Sequence, residues 1–383
     1  MLPALLIDPH FLIGLAAAAA FSFAIPWFPF LQNERYLFAL SLISAAMWYG
    51  RALPGFLLVS AIAYAMACWL GRQTQPSRRW SCGCVAIFLL GAIFTIGRLF
   101  HWDRPIVIEK SVSIVLYSLE MWAVLRLLTL FWEVGSGNFA APSLTRYLIW
   151  ICLPFTLGGP LLRYSQMPAV VCPDRKLWRS SGWWLEACGA AGKLTLGFAL
   201  MAWQQVIVSR WPQANLWDKV VVTFVTGPIG YYLTAGGYFH LMEVLGRPAG
   251  FNLPSSFNFP IGRENISAFW ANWNMTATFV FRDYVFYSRW GLQAYNIYFN
   301  TLVLFTLVGL WHAANAYWIL WGFLHGLLFC SFLIWRKHRS RIGRIPLSGN
   351  PMSNVIARVL TYAAVCMVWY LPSKILQKLA GVF

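Results

Sequence analysis

The sequence predicts an all-α integral membrane protein of about 10–12 transmembrane helices, with a re-entrant or half-helix segment lining a central cavity. Apolar residues fill 59% of its 383 positions and charged residues 11%, and mean hydropathy is positive, far from the balance of a water-soluble domain. Apolar runs close to the roughly 20 residues that a helix needs to cross hydrocarbon recur along most of the length. One segment, 265–281, is patterned like a helix but is too polar to face lipid.

The runs fall at approximately 11–32, 36–50, 53–71, 82–100, 107–132, 144–162, 183–208, 217–240, 294–311, 316–335 and 355–376. The first follows Asp8 and His10, and no Lys or Arg precedes Arg35, so it reads as a retained span rather than a cleaved leader. The third ends at the basic stretch Arg72 to Arg79, and the sixth at Gly158-Gly159-Pro160, a flexible break followed by Arg163. The tenth runs into Arg336-Lys337-His338-Arg339-Ser340-Arg341. No long hydrophilic stretch separates the spans, so one membrane domain over 1–383 is expected, without a soluble catalytic appendage. Most of the eight cysteines sit in or beside apolar runs as small hydrophobes. Cys82 and Cys84 alone are a weak metal signal, and no metal site is expected.

The formal charge of +17 is spread over short loops without a basic stripe, which argues against nucleic acid and for topology signals beside membrane lipid. Both dense basic loops belong on the cytoplasmic side. Eleven plain crossings would put them on opposite sides, so an extra or re-entrant element is needed. Asn265 to Phe281 is the best place for it, because irregular backbone at membrane depth survives only when buried in protein or lining a cavity.

Candidate chemistry gathers around that segment. On one helix, Trp270, Trp273 and Asn274 lie at i, i+3 and i+4, with Thr278 four further on, giving aromatic walls and one carboxamide on a single face. Asn274 suits orientation of an acyl thioester or a substrate hydroxyl, polarisation of a carbonyl as its oxygen becomes negative, or ordinary interhelical hydrogen bonding. His312, in Gly309-Leu310-Trp311-His312-Ala313-Ala314-Asn315, places an imidazole at bilayer depth, where ionisable groups are costly and usually functional. It suits a general base or a helix-end histidine bonded to a carbonyl. Were His325 on the same helix, it would lie roughly 140° around from His312, which reads as structural. His101, beside Asp103 and Arg104, reads as interfacial, and His240 is open. Arg282 either pairs with Asp283 or meets a phosphate, and Arg163 either approaches a ligand or snorkels. Of the span-associated acids Glu109, Glu120, Glu133 and Glu186, only Glu120 reads as well inside, too few for the ion relay of a transporter.

Phe251-Asn252-Leu253-Pro254, Phe269-Trp270, Trp273-Asn274-Met275-Thr276, Phe281-Arg282-Asp283-Tyr284, the His312 segment and Trp321-Gly322-Phe323-Leu324-His325-Gly326 together resemble the membrane-bound O-acyltransferases. The likeness is to the bacterial branch that acylates exported polysaccharides and teichoic acids, strongest over about 250–330, with a weaker core from about 110 to 335. Gly158 to Tyr164 is similar to the family's glycine-proline-arginine-tyrosine turn. The resemblance implies that His312 is the catalytic histidine and Asn274 the second signature position. There many bacterial members carry histidine, whereas many eukaryotic lipid and protein acyltransferases carry asparagine. Trp270, Trp273, Thr278, Arg282, Trp311, Asn315 and Arg163 are then expected to contact donor or acceptor.

The implied reaction moves an acyl group, most simply acetyl, from a cytoplasmic thioester to a cell-surface or secreted polysaccharide, directly or through a periplasmic or extracellular partner. The donor is acyl-CoA or an acyl-carrier protein, a substrate rather than a bound cofactor. The expected location is the bacterial cytoplasmic membrane. A lipid or protein acceptor is the alternative within the same chemistry, and a membrane transporter the alternative outside it.

Overall fold

The structure is a computed structural model that describes residues 9–50, 53–99, 110–167, 180–210, 213–287, 296–341 and 351–379, with side chains except at 9–11, 29, 32, 97–99, 110–120 and 341. His101, Asp103, Arg104, Glu109 and the Glu120 side chain lie outside the described residues. Helices and turns make up the described chain, and it contains no strand. In order they are α1 (Pro9–Trp27), α2 (Glu34–Tyr49), α3 (Leu53–Gly71), α4 (Pro76–Leu99), α5 (Lys110–Gly135), α6 (Leu144–Cys152) and α7 (Ser181–Ser209). There follow α8 (Leu216–Val221), a π turn (Val222–Thr226), α9 (Gly227–Gly246), α10 (Ile266–Asn272), α11 (Met275–Val280), a π turn (Phe281–Phe286), α12 (Ile297–His312), α13 (Ala316–Arg341) and α14 (Pro351–Leu379).

Six of these stretches are long and apolar enough to cross a membrane: Leu53–Gly71, Pro76–Ile96, Ser181–Ser209, Leu216–Gly246, Ala316–Ser340 and Pro351–Leu379. Leu12–Trp27 and Ile297–His312 are shorter apolar helices. With residues such as Leu58, Ile62, Phe88 and Ile93 more than half exposed on α3 and α4, the chain is an integral membrane protein whose outer helices present apolar flanks to lipid.

Two expectations need correction. The run 144–162 is not one span: α6 has nine residues, and Pro154 opens a short 3-10 turn after it. Proline lacks the N–H that would continue the helical ladder, and the chain then turns through Gly159, at φ 94°. The segment 265–281 is not one helix either. It is a pair of helices of seven and six residues, each roughly 10 Å long and unable to span.

The chain divides into two compact units, 1–198 with 234–255, and 199–233 with 256–383. In the first, Arg126 is fully buried on α5 and donates through Nη1 to Trp150 O (3.2 Å) and Thr156 Oγ1 (3.0 Å). Trp150 Nε1 donates to Leu162 O at 2.9 Å, and Glu133 accepts from Ser165 N and Oγ. These bonds fasten the turn that follows α6. Glu133 is 3% exposed and Glu243 6%, so acids that the apolar pattern does not place well inside are buried. His240 is no isolated histidine: Glu186 sits 3.1 Å from its Nε2 and receives both Arg247 Nη1 (2.6 Å) and Nη2 (2.9 Å).

In the second unit the core is aromatic. Phe269, Trp270, Trp273, Phe305 and Trp321 form its centre, with Val365 and Val368 of α14 packed against them. Helices α12 and α13 make an antiparallel hairpin in near backbone contact. A Cβ added to Gly309 would meet Trp318 O at 2.1 Å, and one on Gly322 would meet Phe305 O at 2.2 Å. Small residues let membrane helices approach this closely, and the approach fixes the end of α12 on which His312 sits.

Candidate active site

The site is assembled in the second unit from the α10–α11 break and the α12–α13 hairpin. Asn265 starts α10 by accepting from Ala268 N at 2.8 Å. Arg263 holds its other end, donating through Nη2 to Asn272 Oδ1 (3.0 Å) and Asn258 O (2.6 Å). The helix then stops: Trp273 is extended, and Asn274 takes the left-handed conformation, φ 42° and ψ 53°. Asparagine tolerates that region better than most side chains.

Asn274 occupies the N-cap of α11 but does not cap it with its side chain. An N-cap asparagine ordinarily spends its carbonyl on the first free N–H groups. Here Ser256 O accepts from Met275 N at 2.7 Å instead, and Asn274 Oδ1 is left buried without a hydrogen-bond partner among the described residues. Thr278 Oγ1 closes the break by donating to Trp273 O at 3.0 Å.

Asn296 caps α12 by accepting from Tyr298 N at 2.9 Å. The helix ends at His312, and Asn315 caps α13 by accepting from Trp318 N at 3.0 Å. The two histidines are therefore on different helices, contrary to the single-helix spacing read from the sequence. His312 stacks on Trp318 (centroids 4.7 Å, 24°) and meets Trp321 edge-on (5.4 Å, 88°). His325 is fully buried between Trp321 (4.6 Å) and Trp270 (5.0 Å), and neither of its ring nitrogens has a hydrogen-bond partner among the described residues.

These elements enclose a cavity of about 370 Å³. Trp270, Trp273, Asn274, Thr278, Arg282, Trp311 and His312 all line it, although the break, rather than a common helix face, brings the first four together. Asn315 and Arg163 are not among the lining residues: Asn315 is engaged as a cap, and Arg163 belongs to the first unit. Arg282 Nε donates to Asp283 Oδ1 at 2.8 Å, and its guanidinium lies over Phe279 at 4.6 Å.

Sequence reasoning missed Arg336, which also lines the cavity. Phe329, Leu333 and Arg336 lie at i, i+4 and i+7 on one face of α13, a signal obscured by reading the basic cluster only as topology. The adjoining wall is the α12 stripe Ile297, Thr301, Leu304, Phe305, Val308 and Trp311. Cys330 Sγ reaches Tyr298 O at 3.4 Å, so the hairpin register puts Arg336 toward the Ile297 end and His312 at the other. That stripe is roughly 22 Å long at 1.5 Å per residue. Among the described residues, no group of three or more His, Cys, Asp or Glu could hold a metal ion.

The site can therefore offer one imidazole held by aromatic rings, one carboxamide, and a largely apolar channel with a cation at its far end. The sequence as a whole is similar to several named enzymes. The chain is 34% identical over 334 residues to a probable alginate O-acetylase of Pseudomonas aeruginosa, an alignment covering 78% of this chain and 61% of that protein. It is 30% identical over 153 residues to a teichoic acid D-alanyltransferase of Bacillus subtilis, covering 37% and 36% of the two chains. With a peptidoglycan O-acetyltransferase of Helicobacter pylori it shares 26% identity over 140 residues, 36% of this chain and 25% of the other. The matches thus span less than two thirds of each of these relatives. No family model matches the chain. These homologues are membrane-bound O-acyltransferases named for polysaccharide and teichoic acid acylation.

Proposed function

We propose that this protein transfers an acyl group, most simply acetyl, from a cytoplasmic thioester to a hydroxyl of a cell-surface or secreted polysaccharide, directly or through a partner protein. The observation that carries the reading is the presence of His312, Asn274 and Arg336 along one cavity. The named activities of the relatives, O-acetylation of alginate and of peptidoglycan and D-alanylation of teichoic acid, point to the same acceptor class.

In this reading His312 removes the proton from the acceptor hydroxyl as its oxygen attacks the thioester carbonyl, and the carbonyl π electrons move onto oxygen. Collapse of the tetrahedral intermediate expels the thiolate, which takes the proton back from the imidazolium. Asn274 Oδ1, an acceptor without a hydrogen-bond partner among the described residues, orients a hydroxyl or amide N–H of donor or acceptor. Arg336 faces the donor's anionic group at the end assigned to the cytoplasmic side of the bacterial inner membrane, because Lys337 and Arg339 follow it. The donor is acyl-CoA or a carrier-bound thioester.

The test is release of free CoA from acetyl-CoA by purified protein in nanodiscs, with a hydroxylated glycan as acceptor. His312→Ala is expected to abolish release, and Asn274→Ala to lower it by about 10²-fold, the usual scale for losing one well-placed polar group. Wild-type release that survives His312→Ala would overturn the assignment. One observation favours a second reading, transfer to a lipid or protein: the walls are largely aromatic and aliphatic, including Phe281, Phe286, Phe305, Phe329 and Leu333, and suit a long acyl chain. A series of donors from acetyl to palmitoyl separates the two, since rates rising with chain length would favour the second.

A further inference from the structure

We propose that the face of Trp318 stabilises the positive charge that His312 carries while it holds the acceptor's proton, which makes Trp318 a positioning residue for the base. The inference rests on the acyl-transfer reading above and concerns the cationic half of the charge pair that this reaction creates. When the acceptor oxygen bonds to the thioester carbon, its proton passes to His312, so an imidazolium and an oxyanion form together. The imidazolium lasts until the carbon–sulfur bond breaks and the leaving thiolate takes the proton. A cation in apolar surroundings is costly, and enzymes with a histidine base commonly set a carboxylate beside it.

No carboxylate is among the residues that line this cavity, whose charged lining groups besides His312 are the cations Arg282 and Arg336. Indoles surround the imidazole instead: Trp311 at 4.8 Å between centroids and 47°, Trp321 at 5.4 Å and 88°, and Trp318 at 4.7 Å and 24°. Of these, Trp318 lies nearest to parallel, so its π face meets the ring that becomes charged. A cation within about 6 Å of an indole centroid, over the face, is attracted by the ring quadrupole, most strongly where water is excluded. Stacking occupies the face of the imidazole and leaves its nitrogens, which lie in the edge, to exchange the proton.

The local fold puts the indole there. Asn315 caps α13 by accepting from Trp318 N, so Trp318 falls in the first turn of that helix. Helical side chains lean toward the N-terminus, which carries this one back over the end of α12 and onto His312. Trp321 packs against it at 5.3 Å and 71°, and Trp369 of α14 meets Trp318 and Trp321 at 6.1 Å and 5.7 Å. Tyr317 Oη donates to Trp369 O at 2.8 Å, tying α13 to α14 beside the stack. A ring held in this way needs no rearrangement as the charge appears, which is the condition under which such a contact favours the transition state most. Trp318 is not itself a lining residue, so it acts on the reaction through His312.

Site-specific replacement of Trp318 by tryptophans bearing one to four ring fluorines withdraws negative charge from the face at nearly constant shape. kcat for acetyl transfer is expected to fall stepwise with fluorine number, about tenfold across the series, with KM for acetyl-CoA within about twofold of wild type, because the contact strengthens only once His312 is charged. Trp318→Phe, which keeps a weaker π face, is expected to retain more of the wild-type kcat than Trp318→Leu. A kcat that stays flat across the fluorinated proteins overturns the proposal, since packing alone needs only the shape of the ring; so does a loss that appears in KM and not in kcat. Failure of the broader reading looks different, because His312→Ala would then match wild type in the same assay.

Discussion

At the scale of single residues, Asn274 carries two duties that can be pulled apart. Its backbone sits at φ 42° in the break between α10 and α11, a conformation that costs most L-residues roughly 1–2 kcal/mol. Its carboxamide oxygen, released from capping, has no hydrogen-bond donor among the described residues. Glycine adopts the same backbone without strain but has no carboxamide. Asn274→Gly is therefore expected to keep the thermal midpoint within a few degrees of wild type while lowering acyl transfer about 10²-fold. Asn274→Val should lose both, since a β-branched side chain resists the left-handed region. Equal midpoints for the glycine and valine proteins would show that the break is not a backbone constraint.

At the scale of elements, the α12–α13 hairpin positions His312 through the contact at Gly309 and Gly322. A methyl at either position would lie 2.1–2.2 Å from a backbone oxygen of the opposite helix, and backbone cannot rotate away as a side chain can. Gly309→Ala and Gly322→Ala are each expected to destabilise by about 1–3 kcal/mol, the usual cost of overpacking. Both should also lower kcat more than a remote change of equal stability cost, because the hairpin must splay where His312 stacks on Trp318. Thermal unfolding in detergent with parallel kinetics would check this, and unchanged values in both would remove the hairpin contact from the argument.

Much of this arrangement was legible in the sequence, and the losses have physical causes. Apolar runs located the long helices because lipid demands them. The polarity of 265–281 marked it as non-lipid, yet its interruption at Trp273–Asn274 carries no glycine or proline. The break is held by Ser256, Arg263 and Thr278, contacts that no local pattern records. The loss of span 144–162 did have a signal, since Pro154 and Gly158-Gly159-Pro160 fall inside it. So did the separation of His312 from His325, because Asn315 is a good N-cap. Arg336 was hidden by its neighbours, where a basic cluster explained by topology left no reason to ask which cation faces inward.

At the scale of the whole molecule, the cavity has a direction, with an imidazole at one end and a cation roughly 22 Å away along α12. If Arg336 meets a phosphate of the donor, its value must depend on that phosphate being present. Arg336→Gln keeps a polar side chain but loses the charge, and a charge-assisted bond of this kind contributes about 1.5–3 kcal/mol. KM for acetyl-CoA is therefore expected to rise about tenfold or more, with kcat little changed, because the contact is made equally in ground and transition states. Acetyl-pantetheine, which carries the same thioester without phosphate, should bind wild type more weakly than acetyl-CoA and be indifferent to Arg336→Gln. An equal loss on both donors would mean that Arg336 supports the fold of α13 rather than reading the donor. A carrier-bound donor would still respond, since its pantetheine arm ends in a phosphodiester, so the pattern across the three donors also identifies which thioester the cavity takes.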